Sequence, residues 1–172
     1  MHRLMLFFTI AAIPLLSHAI EEPEYEVIKT VDKVEFRKYS PYVVAEVVVD
    51  ATAEDAGGRA FPILAGYIFG KNKGDRKFAM TAPVISAQKA DKAADDEWFV
   101  SFVMPAGSTK ADMPDPNDPR VVLRQLEAES CVATSFRGKA SEDLAKKKVA
   151  ELRALAAKEN IALSDETRIC RF

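Results

Sequence analysis

The sequence predicts an α+β domain in which duplicated βαβ-type units form a distorted antiparallel β-barrel flanked by two α-helices. Three observations support this fold class. Runs of alternating apolar and polar residues, typical of half-buried strands, recur along the chain. Two other segments carry apolar residues at helical spacing. The predicted strands and helices also follow the same order in the two halves of the chain.

The strands are predicted from runs of β-branched and aromatic residues between turn residues. They cover residues 25–30, 34–39, 42–49, 78–87, 98–104, 121–126, 130–136 and 167–172. One face of the third run carries Val43, Ala45, Val47 and Val49. Because proline cannot donate a ladder hydrogen bond, Pro83 indicates an edge or bulge position in the fourth run. The fifth run, from Trp98 to Met104, is almost wholly apolar, which favours the centre of a sheet.

The first helix is predicted over residues 60–69, with Gly70 as its stop. Its apolar stripe consists of Phe61, Leu64, Ala65 and Ile68. Thr52 followed by Asp55 resembles a capping box, which favours an earlier start. Pro62 would remove a helical hydrogen bond, however, so we expect either a kink or a start delayed to about Ala60.

The second helix belongs to an internal repeat. It is predicted over residues 141–159 with Ser141 as its N-cap. Its buried stripe is expected to consist of Ala145, Val149, Leu152 and Ala156. Residues 34–37 resemble residues 121–124 at an offset of 87, and the acidic pair 54–55 corresponds to the pair 142–143 at an offset of 88. We therefore expect an approximate two-fold operation to relate the two halves.

The first 19 residues have the features of a secretory signal peptide. A short basic start precedes an apolar run over residues 4–16, which is shorter than the ~20 residues that span a bilayer. Ser17 and Ala19 supply the small residues that precede a cleavage site. We expect an exported protein, periplasmic or extracellular, that begins at Ile20, forms one domain over residues 20–172 and is not stably inserted in a membrane.

Cleavage would remove both histidines, His2 and His18. The mature chain could then form no histidine-dependent catalytic triad, His-ligated zinc site or His-ligated haem. It would carry 23 basic and 26 acidic side chains, a net charge of −3, so we expect no basic face for nucleic acid. We also expect a monomer. The two cysteines, Cys131 and Cys170, could form one disulfide or remain two separate thiols, and their spacing does not decide between these states.

Two stretches resemble the signature of the SOUL/haem-binding protein family. They are residues 61–72, Phe-Pro-Ile-Leu-Ala-Gly-Tyr-Ile-Phe-Gly-Lys-Asn, and residues 77–84, Lys-Phe-Ala-Met-Thr-Ala-Pro-Val. Residues 102–105 and the proline-containing segment around residues 113–116 also occur where the family has them. The resemblance runs from about Glu24 onwards. It implies a duplicated, distorted barrel like that of GyrI-like effector-binding domains, with a further family strand that we expect to be missing after Phe172.

The resemblance also implies non-covalent binding of haem or another tetrapyrrole, without catalysis, in an apolar groove beside the first helix. The implied groove consists of Phe61, Leu64, Ala65, Ile68 and Phe69. Five cations near its end, Arg59, Lys71, Lys73, Arg76 and Lys77, suit the propionates of such a ligand. Met80 is included in the site, and Met80 and Met104 are weak candidates for iron ligands. Each of these residues could instead serve the core or a solvated loop.

Two other functions stay open. One is a GyrI-like module that binds small molecules without a preference for porphyrins. The other is an exported hydrolase that acts through carboxylates such as Glu46 or Asp55, although no paired acid motif supports it. Titration with haemin beside an apolar dye would separate porphyrin preference from general apolar binding.

Overall fold

Eight strands and two α-helices form the described parts of the chain, which are residues 20–88, 97–138 and 141–172 of a computed structural model. The strands are β1 (Tyr25–Val31), β2 (Val34–Tyr39), β3 (Tyr42–Asp50), β4 (Val84–Gln88), β5 (Glu97–Val103), β6 (Val122–Leu126), β7 (Glu129–Thr134) and β8 (Arg168–Arg171). The helices are α1 (Ala56–Ile68) and α2 (Glu142–Lys158), and neither is long and apolar enough to cross a membrane. The expected signal peptide, residues 1–19, lies outside the described residues.

The strands form two antiparallel sheets that are not joined into a closed barrel within the described residues. The strand order is β1-β2-β7 in one sheet and β6-β3-β5-β4-β8 in the other. The chain changes sheets between β2 and β3, between β6 and β7, and between β7 and β8. The α+β class with two helices is therefore confirmed. The expected barrel is corrected to two open sheets. Strands β2 and β3, β6 and β7, and β7 and β8 are consecutive in the chain, but the members of each pair lie in different sheets.

The strand pairing has the pattern that a duplication requires. β2 pairs with β7, β3 pairs with β6, and β4 pairs with β8. The registers agree as well, since Arg37 lies opposite Cys131 and Arg124 lies opposite Val44. The offset of 87 residues found in the sequence converts the first of these pairs into the second. Superposition of the two halves by a two-fold operation stays a prediction.

The main core lies between α1 and the five-stranded sheet. The predicted apolar face of β3 is confirmed, because Val43, Ala45, Val47 and Val49 are all buried. These side chains pack in one cluster with Leu64, Tyr67 and Ile68 of α1 and with Trp98, Val100 and Phe102 of β5. β5 lies between β3 and β4, at the centre of the sheet, as its apolar sequence predicts.

Helix α1 starts earlier than the delayed start that Pro62 suggested. It begins at Ala56 and continues through Pro62, so the start delayed to about Ala60 is wrong. The hydroxyl of Thr52 accepts a hydrogen bond from the Asp55 N–H at 3.3 Å and closes the turn that precedes the helix. Ala56 and Ala60 are completely buried. This packing holds the weak first turn in place, because helices in proteins are stabilised mainly by their tertiary contacts.

Helix α2 is less well packed than α1. The predicted cap is confirmed, since the Ser141 hydroxyl accepts a hydrogen bond from the Leu144 N–H at 3.3 Å. Of the predicted stripe, Ala156 is buried, whereas Ala145, Val149 and Leu152 are only half-buried. The reason lies in the partner of each helix: α2 lies against β7 of a three-stranded sheet, which is narrower than the five-stranded sheet under α1.

The fourth strand is shorter than predicted and is not at an edge. β4 begins at Val84, directly after Pro83, and lies between β5 and β8. A proline before the first residue of a strand does not have to donate to the ladder, so the expected edge or bulge position is wrong. Residues 78–83 instead lie outside the two sheets. The Phe78 N–H donates to the Ile68 carbonyl at 2.9 Å at the end of α1.

Candidate ligand-binding site

A surface pocket of about 280 Å³ opens beside α1. It is lined by Pro62, Ile63 and Tyr67 of α1, by Lys71 in the following loop, and by Asp118 and Arg120 of residues 105–120, a segment that we call the proline arm. An apolar wall with a few polar groups is typical of small-molecule sites. Pockets that enclose a drug-sized ligand usually have ~300–1,000 Å³. A tetrapyrrole in this pocket would therefore keep part of its ring exposed.

The charged residues of the pocket leave a net positive charge. The Asp118 carboxylate accepts hydrogen bonds from Arg120, from Nε at 3.0 Å and from Nη2 at 2.7 Å. These hydrogen bonds, with a smaller contribution from the charge of Lys71, lower the pKa of Asp118 to about 2. Asp118 is therefore ionised at neutral pH and balances the charge of Arg120. Lys71 adds a further positive charge, which gives the pocket its net charge and could pair with an anionic ligand.

The end of α1 positions Lys71. Gly70 has a φ angle of +112°, in the left-handed region that favours glycine. After this turn the Lys71 N–H donates to the Gly66 carbonyl at 2.8 Å, so the loop folds back along the helix. The lysine side chain covers Gly66, where a Cβ atom would lie 3.1 Å from Lys71 Cδ. Glycine at position 66 thus leaves the space in which Lys71 lies beside the pocket.

The Asn72 side chain holds this loop against α1, and the Asn72 backbone holds the loop against the proline arm. The buried Asn72 amide donates to the carbonyls of Tyr67 at 2.9 Å and Arg76 at 2.7 Å, and its oxygen accepts from the Arg76 N–H at 3.0 Å. The Asn72 backbone forms an isolated antiparallel bridge with Pro116. The Tyr67 hydroxyl donates to the Pro114 carbonyl at 3.0 Å. These signature residues therefore fix the arm that forms the second wall of the pocket.

The predicted apolar groove residues are divided between the core and the surface. Leu64, Ala65 and Ile68 are buried against the five-stranded sheet, so they do not line an open groove in this structure. Phe61 and Phe69 are 45% and 56% exposed. This division has a simple cause, because most of the helical stripe that suggested a groove packs on the sheet. A ligand contact by any of these five residues stays a prediction.

Among the five predicted cations, Lys71 alone lines the pocket. Arg59 lies near the opposite end of α1 and donates to a backbone carbonyl of β3 at 2.8 Å. Arg76 donates to a carbonyl of the proline arm at 2.9 Å, and its guanidinium lies 4.8 Å from the centre of the Phe78 ring. Its contacts therefore hold the arm in place. Lys73 and Lys77 are exposed in the same loop.

The methionines and carboxylates singled out in the sequence lie in different surroundings within the described residues. Met104 is 2% exposed in the main core, whereas Met80 is 42% exposed on the surface. Glu46 pairs with Arg124 at 2.9 Å, and Asp55 lies at the start of α1. Within residues 20–88, 97–138 and 141–172, no group of three or more His, Cys, Asp or Glu side chains could hold a metal ion. Any role of Met80 as a ligand stays a prediction.

The sequence reasoning missed most of the pocket. The residues not foreseen are Pro62, Ile63, Tyr67, Asp118 and Arg120. Ile63 and Tyr67 lie outside the apolar stripe from which α1 was predicted. The signal that could have found the other wall is the long proline arm, because long loops in compact domains are often functional.

Two solved structures resemble the fold at a low level. A hydrolase encoded by lin2189 from Listeria innocua aligns with a TM-score of 0.47 at 17% identity, covering 80% of this chain and 90% of that chain. Another hydrolase from Listeria innocua aligns with a TM-score of 0.46 at 18% identity, covering 89% of this chain and 92% of that chain. Similarities this low carry no argument about the activity of this chain.

Sequence comparison is more informative. No curated protein matches the chain significantly. A family model described as SOUL heme-binding protein matches residues 20–172. This range includes α1, its signature loop, the proline arm and both sheets. The chain therefore belongs to the SOUL heme-binding protein family.

Proposed function

We propose that the protein binds haem or another tetrapyrrole non-covalently in the pocket beside α1 and does not catalyse a reaction. The observation that carries this proposal is a pocket that combines apolar residues of α1 with a net positive charge, in a member of a heme-binding family. One edge of the ring would lie against Pro62 and Ile63, beside the buried Tyr67, and a propionate would face Lys71. Such binding would serve transport, buffering or sequestration.

The residues of the pocket suit a porphyrin ring better than they suit its iron. Its six described lining residues include no histidine, cysteine or methionine, and the hydroxyl of the buried Tyr67 donates its proton to the Pro114 carbonyl. Haem would bring a redox-active iron to the site, whereas this chain would supply apolar contacts and one positive charge. Burial of apolar surface contributes ~25 cal/mol per Å², so a few hundred Å² of shielded ring supports useful affinity without a metal bond.

Metal-free protoporphyrin IX is therefore expected to bind within about tenfold of haemin, a difference of ~1.4 kcal/mol. Fluorescence quenching for protoporphyrin and absorbance titration for haemin give the two affinities. An apolar dye titrated in parallel tests the GyrI-like alternative, which expects the dye to bind as well as the porphyrins do. An advantage of a hundredfold or more for haemin would show that axial ligation dominates and that this description of the site is wrong.

Lys71→Met is expected to weaken the binding of protoporphyrin IX by about five- to tenfold, because the variant keeps the stem over Gly66 and removes the charge that faces a propionate. Protoporphyrin IX dimethyl ester has no free propionate charge, so its affinity should be the same for both proteins. Lys147→Met, an exposed position on α2, is the matched control and should bind both ligands normally. Equal losses for the acid and the ester would contradict a role for the charge.

Export is part of the same proposal. The Glu21 carbonyl accepts a hydrogen bond from the Ala82 N–H at 2.8 Å, and the Glu21 side chain accepts one from the Ala106 N–H. Cleavage after Ala19 would leave both contacts intact. The first residues of the mature chain would then be held beside the signature segment that ends at Val84.

A further inference from the structure

A cluster of polar and aromatic side chains lies where the two sheets meet, away from the pocket. The rings of Tyr39 on β2 and Tyr42 on β3 are 6.2 Å apart, which joins the sheets at one corner. Arg168 on β8 forms an ion pair with Glu129 on β7, which joins them again. Strands β7 and β8 belong to different sheets. The ion pair therefore links these two edge strands through their side chains.

Both cysteines lie on this side of their strands. Cys131 follows Glu129 by two residues on β7, and Cys170 follows Arg168 by two residues on β8. Alternate residues of a strand point to the same face, so each thiol lies on the face that carries the ion pair. Cys170 also lies opposite Ile85, which is in the apolar cluster that Tyr42 packs against. The two thiols thus flank one corner between the sheets, and both are free in this structure.

The surroundings of the two thiols raise their pKa values. Burial raises the pKa of Cys131, and the positive charge of Arg37 opposes the rise. Burial also raises the pKa of Cys170 even though the residue as a whole is exposed, and a thiolate at Cys131 would raise it further. Both groups are therefore mainly protonated at neutral pH. Since the thiolate is the reactive form, they should exchange slowly there and faster as the pH rises.

We propose that Cys131 and Cys170 form a redox pair whose disulfide fastens β8 to the three-stranded sheet. The oxidant is a disulfide of the glutathione or thiol-oxidoreductase class. The exposed Cys170 attacks it as the thiolate and releases one thiol, and Cys131 then attacks the mixed disulfide and releases the second. The two cysteines are oxidised by two electrons, the external disulfide is reduced to two thiols, and the protons of the cysteines pass to the leaving thiolates.

The cross-link would act on a poorly packed part of the fold. Helix α2 lies in the chain segment between the two cysteines, and Ala156 is its one buried residue. A bond between residues 131 and 170 would close this segment into a loop and restrict its unfolded forms. We expect the disulfide to raise the Tm by about 5 to 12 °C. Slower amide hydrogen exchange should appear in α2 and β8 rather than in α1.

The test is to incubate the purified protein with oxidised glutathione between pH 7 and 8.5. Peptide mapping should find a Cys131–Cys170 disulfide within the monomer, formed about tenfold faster for each unit of pH. Cys131→Ser should stop at a glutathione adduct on Cys170 and show no gain in Tm, with circular dichroism as the check of its fold. Stable adducts on both cysteines of the wild type, disulfide-linked dimers, or an intramolecular disulfide without a gain in Tm would each overturn the proposal.

Discussion

Leu64→Asp is expected to unfold the domain rather than only to weaken ligand binding. Leu64 is completely buried between α1 and the five-stranded sheet. A carboxylate there would lose its hydration without gaining a partner, and a protonated carboxyl would still replace apolar contacts by a cavity and a polar group. We expect a loss of at least ~4 kcal/mol in the free energy of unfolding, which is close to the whole stability of many domains.

Urea unfolding followed by circular dichroism measures this loss, and Ile63→Asp is the matched control. Ile63 is the neighbouring residue on α1, but it is half-buried and lines the pocket. Its substitution should cost only about 1 to 2 kcal/mol of stability and should reduce porphyrin affinity at least tenfold. The opposite result, a folded Leu64→Asp protein that no longer binds porphyrin, would show that the apolar stripe is the ligand groove after all.

The parts of the fold that follow from local pattern were predictable. The alternation of Val43, Ala45, Val47 and Val49 identified the buried face of β3 because successive strand residues point to opposite faces. The apolar run from Trp98 placed β5 at the centre of its sheet for a similar reason. Ser141 identified the start of α2 because its hydroxyl is a typical acceptor for the first free N–H groups.

The division into two sheets and the pocket were not predictable in the same way. The change of sheet between β2 and β3 depends on pairing with β7 and β6, which lie about 75 to 100 residues further along the chain. The apolar residues of α1 have the same spacing whether the stripe faces a core or a ligand, so the spacing could not decide between these roles. Tyr67 and Asp118 line the same pocket because hydrogen bonds to the backbone hold the proline arm, and such bonds leave no periodic pattern in the sequence.

These hydrogen bonds lead to the second large expected effect, which concerns Asn72. Its side chain is 1% exposed and makes three hydrogen bonds to the backbone. In Asn72→Ala the Arg76 N–H and two carbonyls would lose these partners, and each buried unsatisfied group costs ~1–3 kcal/mol. We expect a loss of about 3 to 4 kcal/mol in the free energy of unfolding.

Asn117→Ala provides the comparison that tests this reasoning about Asn72. Asn117 is exposed, and its amide donates to the Asn72 carbonyl at a long 3.4 Å, so the variant should lose less than ~1 kcal/mol.

Asn72→Ala should also release the proline arm, which limited proteolysis would detect as faster cleavage within residues 105–120. Porphyrin affinity should fall with it, because Asp118 and Arg120 would no longer be held opposite α1. If the two variants are equally stable and equally resistant to protease, Asn72 does not hold the arm. The pocket would then owe its shape to the Tyr67–Pro114 hydrogen bond and to the contacts of Arg76.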